Sequence, residues 1–243
     1  MKRIALLFGN NRDLKGTSKD ILDFMSFLLS PQGGAWEQDE IKGYLNPTKA
    51  SIEEKVKKIK EGSYDYVIVY FSGHGGCRNS TILEINPQNE HIPESLLMGL
   101  APKQLNILDC CRSFVAGGIA IDETHEASSQ DLHNQVRTEY EELVKVAADQ
   151  QVRMYSCKEG ESSYTLTNGQ GSVYTQVLLD SAKFLLSKMD VVRTHDCHAR
   201  TYQITVDVTN KQNLSQHPDI VPAKCLACLE LPISFNPQCL KTI

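Results

Sequence analysis

Three stretches of this 243-residue chain are apolar almost without a break, have the length of a strand and then stop abruptly: Ile4–Phe8, Tyr66–Phe71 and Leu105–Leu108. Such a run cannot turn one face to water, so it fits a parallel strand covered on both sides. The segments between them carry helical periodicity. Ile21, Leu22, Phe24, Met25, Leu28 and Leu29 form one stripe, with Thr17 or Ser18 expected as N-cap, Asp20 in the first turn and Pro31 as the stop. A second helix is expected from Pro47–Ser51 through Ile59, its lysine face solvated and its end set by Gly62. With a short strand at Ile41–Leu45, the order is strand, helix, strand, helix, strand. That is a doubly wound α/β pattern.

The rest of the chain continues in the same style. Thr81–Ile85 is expected as a short edge strand, Pro93–Leu100 as a short helix, and Phe114 to about Gln135 as an aperiodic loop. Tyr140–Ala148 reads as a helix, Val152–Ser156 as a strand and Lys158–Gly171 as a polar loop. Val173–Met189 is a helix with Tyr174, Val177, Leu178, Ala182, Leu185 and Leu186 as its buried stripe, and Tyr202–Val208 alternates like a strand. There is no internal repeat and no low-complexity linker, so the expectation is one domain over residues 1–243.

A net charge of -5 argues against binding a phosphate backbone, which needs accumulated Lys and Arg. The apolar run after Met1-Lys2-Arg3 is too short for a secretory h-region, and no stretch reaches membrane-spanning length; a cytoplasmic protein with no membrane partner is expected. Without a secretory signal, the eight cysteines read as reduced thiols rather than a disulfide scaffold.

The chemistry sits where two of the apolar strands break. One ends in Ser72-Gly73-His74-Gly75-Gly76, the other in Asp109-Cys110-Cys111-Arg112-Ser113. Open α/β folds build their sites outside the carboxyl ends of parallel strands, and adjacent strands would bring His74 and Cys111 together as proton-transfer partner and thiol nucleophile. The backbone N–H groups of Gly75 and Cys111 would then be the oxyanion donors. Neighbours on a strand face opposite ways, so Cys110 is expected as a packed thiol.

These two segments resemble the signatures of caspase-like cysteine peptidases. The caspase pattern is Gln-Ala-Cys-Arg/Gln/Gly-Gly; here Asp109 stands for the Gln, Cys110 for the Ala and Ser113 for the final Gly, with Cys111 at the nucleophile position. An Asp two residues before the nucleophile resembles the metacaspase and orthocaspase form. Leu14–Ile21, Ser156–Glu161 and Gly171–Thr175 are similar to further segments of that family, so the resemblance covers about residues 3–190, leaving 191–243 as a C-terminal strand and extension. It implies a three-layer α/β sandwich with a mostly parallel central sheet and helices on both faces. It also implies an S1 pocket lined by Asp20 and Asp109, which would favour Arg or Lys before the scissile bond. The substrate implied is a protein, and in bacteria such compact chains belong to defence or cell-death systems in which a separately encoded pore-forming protein is one plausible target.

Other readings compete. His195-Asp196-Cys197-His198 with Cys225 and Cys228 could be read as a zinc site, although the single C-x-x-C is a weak signal. No cofactor is required by the sequence. Calcium is a candidate activator because many metacaspases require it, and Asp122, Glu123, Glu126 and Asp131 are acids without an EF-hand's spacing. Arg137 and Lys145 are basic positions that self-cleavage could use. A catalytically silent caspase-like interaction module is the main alternative to an enzyme. A nucleotide-binding flavodoxin-like domain fails for want of a G-x-G-x-x-G or P-loop.

Overall fold

A computed structural model describes residues 1–113, 130–166, 169–221 and 230–240. Its centre is a six-stranded sheet built from β1 (Arg3–Gly9), β2 (Ile41–Leu45), β3 (Tyr66–Gly73), β7 (Lys103–Cys110), β8 (Gln150–Tyr155) and β10 (Asp219–Val221). Across the sheet the order is β10-β8-β7-β3-β1-β2, every pair parallel except β10 with β8. A second, three-stranded antiparallel sheet carries β4 (Gly75–Cys77), β5 (Thr81–Glu84) and β6 (His91–Pro93) in that order.

The apolar runs sort by strand alternation. Ala5, Leu7, Ile68, Tyr70, Leu105, Ile107 and Met154 face one core, where they meet α1 (Gly16–Leu29), α3 (Gln130–Val146), α4 (Val173–Leu185) and α5 (Thr194–Asn210). Ile4, Leu6, Phe8, Val67, Val69, Phe71, Leu108 and Cys110 face the other, against α2 (Lys49–Glu61) and the small sheet. The fold is thus an α/β sandwich with helices on both faces of a mostly parallel sheet. A separate two-stranded antiparallel sheet of β9 (Val191–Arg193) and β11 (Pro232–Phe235) packs Leu231, Ile233 and Phe235 into the first core.

Several expectations are corrected. Neither Thr17 nor Ser18 caps α1: the cap is Lys15 without a side-chain bond, and the Thr17 hydroxyl donates to Asn10 O at 3.3 Å. Thr81–Glu84 belongs to the small sheet and not to an edge of the central one, and the region expected as a short helix holds only a 3-10 turn at Glu94–Leu97. The loop expected through Gln135 stops earlier, since α3 begins at Gln130; its first turns are polar, and only Val136, Tyr140 and Val144 show the buried period. Helix α4 ends at Leu185, short of Met189.

The strand expected at Tyr202–Val208 lies inside α5. Tyr202, Ile204, Val206 and Val208 give the period of two, but the residues the helix buries are Thr201, Thr205 and Thr209, which recur every fourth position. Two of these hydroxyls donate back to the preceding turn, Thr201 to Cys197 O at 2.7 Å and Thr209 to Thr205 O at 2.9 Å.

Two further candidates fall away or lie elsewhere. Arg137 is inside α3 and forms ion pairs with Glu40 (2.6 Å) and Glu141 (3.2 Å), while Lys145 is in the last turn of the same helix; neither lies on an extended, cleavable segment. Cys197 is buried and donates to Leu178 O, so it serves α5 packing; Cys225 and Cys228 lie outside the described residues, as do Asp122, Glu123 and Glu126. Asp131 sits in the first turn of α3. Among the described residues no group of three His, Cys, Asp or Glu side chains could hold a metal, no disulfide forms, and no helix is long and apolar enough to cross a membrane.

Candidate active site

The chain passes from β1 to β2 on one side and to β3 on the other, so its course reverses at β1 and leaves a crevice beyond the carboxyl ends of these strands. His74 and Cys111 both open onto it. β3 and β7 are paired in register up to Gly73 opposite Cys110, and His74 and Cys111 are the next residue on each. Adjacent strands run about 4.8 Å apart, which sets the two side chains on neighbouring backbones. They line two common cavities.

The histidine is held in one tautomer. Its Nε2 lies 2.7 Å from the carbonyl oxygen of Arg12, on the loop after β1. A carbonyl only accepts, so Nε2 carries the hydrogen and Nδ1 is left as the basic nitrogen. Nothing in the Ser72–Gly76 motif announces this carbonyl; sequence reasoning missed it because any residue type can supply it.

Cys111 Sγ donates to Ser163 O at 3.5 Å, and burial pushes its thiol up, so the resting form is the neutral thiol. Its neighbour is a different case. Cys110 is buried beneath Gly75, its thiol pushed well up by burial, which fits the packed residue expected. Arg112 turns away as well: its guanidinium stacks over Tyr155 at 4.1 Å, donates to Thr81 and Cys157 O, and pairs with Glu159 at 2.9 Å.

Gly75 is fixed by what surrounds it. A β-carbon there would lie 2.7 Å from Cys110 Sγ and 2.9 Å from Cys111 O, so no larger residue fits. Glu84 N–H donates to His74 O at 3.0 Å, and Gly75 stands opposite Leu83 in register. In an antiparallel ladder that makes Gly75–Leu83 a non-hydrogen-bonded pair, with the Gly75 N–H turned away from β5.

Asp20 and Asp109 meet on the other side of the dyad. Both are buried, and they line a narrow slot of about 20 Å³ together with His74, Cys111, Ser72 and Ser163. Asp20 accepts from Ser72 Oγ (3.0 Å), Ser172 N (2.9 Å) and Gln176 Nε2 (3.3 Å). Asp109 accepts from the hydroxyls of Ser163 (2.8 Å), Thr175 (2.6 Å) and Ser172. Burial raises both carboxyls, and for Asp20 the proximity of Asp109 adds to it. The pair therefore gives up its protons less readily than two isolated carboxyls would. Gly171 closes this wall at φ +87°, where a β-carbon would strike Asp20 Oδ1.

The Ser163–Tyr164 stretch of the slot is held by a residue outside the recognisable segments. Gln216 is fully buried and bridges Ser156 O (3.0 Å), Ser163 Oγ (3.2 Å) and Tyr164 N (3.1 Å). His217 follows it, and its backbone N–H donates to Glu161 at 2.8 Å. No composition or spacing signal marks these two positions.

The caspase domain family, peptidase family C14, matches residues 2–225. Protein GSU0716 from Geobacter sulfurreducens, known from a crystal structure, superposes with a TM-score of 0.53 over 95% of this chain and 97% of its own, at 14% identity; that likeness is one of fold. No curated protein matches in sequence. Matched across most of its length, and with a histidine and a cysteine at the ends of paired central strands, the chain belongs to the caspase domain family.

Proposed function

We propose that this protein is a cysteine endopeptidase in which Cys111 is the nucleophile, His74 the general acid/base, and Asp20 with Asp109 the floor of an S1 pocket for Arg or Lys. The observation that supports it most is the fixed tautomer of His74, which leaves Nδ1 free to take the thiol proton at the strand end beside Cys111. The thiolate then attacks the scissile carbonyl carbon, and the oxyanion is held by the N–H groups of Gly75 and Cys111. His74 passes its proton to the leaving amine as the C–N bond breaks, leaving a thioester on Cys111. Water attacks the thioester, giving its proton to Nδ1, and the acid product leaves as the proton returns to sulfur.

The slot as it stands has room for about one water, so a basic side chain enters only when the Ser163–Thr165 wall moves outward. The same movement frees the Cys111 thiol from Ser163 O. Binding a cation there favours the charged carboxylates and replaces carboxyl–carboxyl repulsion with charge pairing. The natural substrate under this reading is a separately encoded protein. The test is hydrolysis of matched fluorogenic peptides ending in Arg, Lys, Asp or Leu, by wild type and Cys111→Ala, each with calcium and with chelator. Cleavage after Arg or Lys that vanishes in the mutant is expected; preference for Asp would overturn the acidic pocket. Silence of every peptide would favour a non-catalytic interaction module.

A further inference from the structure

The dyad borders a second and much larger space. A cavity of about 570 Å³ is lined by β4, by Arg78 just after it, by Ile82 and Glu84 of β5, by His91 of β6 and by Ser113, and it shares only His74 and Cys111 with the acidic slot. A bound peptide bond must lie over Cys111. If the side chain on its carbonyl side enters the slot, the residue on its amine side is directed to the opposite flank. We propose that this cavity is the subsite for the residue just after the scissile bond, and that it takes an apolar side chain. The inference rests on the peptidase reading above and adds to it a second determinant of specificity.

The lining supports both parts. β4 is the edge strand of its sheet, and Gly75 and Cys77, both in non-hydrogen-bonded pairs with β5, turn their backbone groups outward, where an extended chain can pair with them. Gly75 and Gly76 bring no side chains. Strand alternation buries Thr81 and Leu83 and leaves Ile82 half-exposed toward the space. Glu84 is the one carboxylate among the lining residues, and it is already engaged by Arg12 (3.3 Å) and Asn10 (3.3 Å). Arg78 also lines the space but is exposed, where water screens its charge. An apolar side chain would cover Ile82 and ask nothing of Glu84, whereas an Asp would face that carboxylate for little return from the solvated Arg78.

The experiment compares two substrate types that share Arg before the cleaved bond. Internally quenched peptides carry Leu, Gly, Lys or Asp after the Arg; a blocked arginyl methyl ester releases only methanol, which leaves the cavity unfilled. Wild type is expected to cleave the Leu peptide about 10-fold better, in kcat/KM, than the Asp peptide. Ile82→Asp should abolish that preference while leaving the ester rate within about two-fold, and Ile82→Ala should weaken it in the same direction if the aspartate variant does not fold. Equal cleavage of all four peptides by wild type would overturn the subsite. So would an Ile82→Ala variant that keeps the full preference. Failure of wild type to cleave even the ester would instead overturn the peptidase reading beneath it.

Discussion

At the end of β7 the chain places Cys110 under Gly75 and turns Cys111 toward the dyad, so two chemically identical neighbours receive different surroundings. Burial raises both thiols, but only Cys111 lines cavities shared with a histidine whose Nδ1 is free. Cys111→Ala is expected to lower kcat by at least about 1,000-fold, and Cys110→Ala to retain most activity at some cost in stability; peptide hydrolysis and thermal melts separate the two. The carboxyl pair makes an opposite kind of trade. Because burial raises Asp20 and Asp109 in the folded state, the folded chain binds more protons than the unfolded chain above the ordinary carboxyl value of about 4. The stability held below that value is therefore lost as pH rises through the raised folded values. Asp20→Asn, which removes one charge and keeps an acceptor for Ser172 N, is expected to stabilise the protein at neutral pH by on the order of 1 kcal/mol and to flatten this pH dependence, while weakening cleavage after Arg. Melts across pH 4–8 check the first expectation; a variant less stable than wild type at pH 7 and more stable at pH 4 would contradict it.

At the scale of elements, chemistry follows from where strands stop. β1, β3, β7 and β8 are parallel, so the loop that supplies the Arg12 carbonyl, the His74 turn, the Cys111 turn and the Ser163 loop all emerge on one edge of the sheet. Gly75→Ala would push a methyl into Cys110 and Cys111, and a loss of about 100-fold or more in kcat with substrate affinity little changed is expected from the displaced donor. Gln216→Ala should act differently. It leaves Ser156 O, Ser163 Oγ and Tyr164 N without their bridge, so the slot wall loosens and KM for Arg substrates rises by several-fold more than kcat falls. That His74 and Cys111 end neighbouring strands was legible in the sequence, because each closes an unbroken apolar run. Arg12 and Ser163 were not, because they act through backbone carbonyls that every residue owns. Gln216 escaped notice because it reaches the site through tertiary packing. The parallel strands were visible from their unbroken apolar runs; α5 was misread because Tyr202, Ile204, Val206 and Val208 alternate with period two, while the face the helix buries there is the polar-looking Thr201, Thr205 and Thr209.

For the whole molecule, one core faces the helical layer and the other faces α2 and the small sheet, and β3 and β7 lie between them. Far from the site, Arg3 donates to Gly34 and Ala35 carbonyls, stacks on Trp36 at 4.4 Å and pairs with Glu40, which in turn binds Arg137 of α3. This cluster ties β1 to α3 through the ion pairs of Arg137. The central claim is that Cys111 is the nucleophile beside a pocket for a basic side chain, and it can be tested without waiting for turnover. The protein is incubated with a peptide electrophile ending in Arg, or with its Asp counterpart, and the labelled residue is located by mass spectrometry. One adduct on Cys111, formed faster with the Arg reagent and lost in His74→Ala, is the predicted result. Labelling of Cys77 or Cys110 in preference to Cys111, or equal reaction with the Asp reagent, would contradict it.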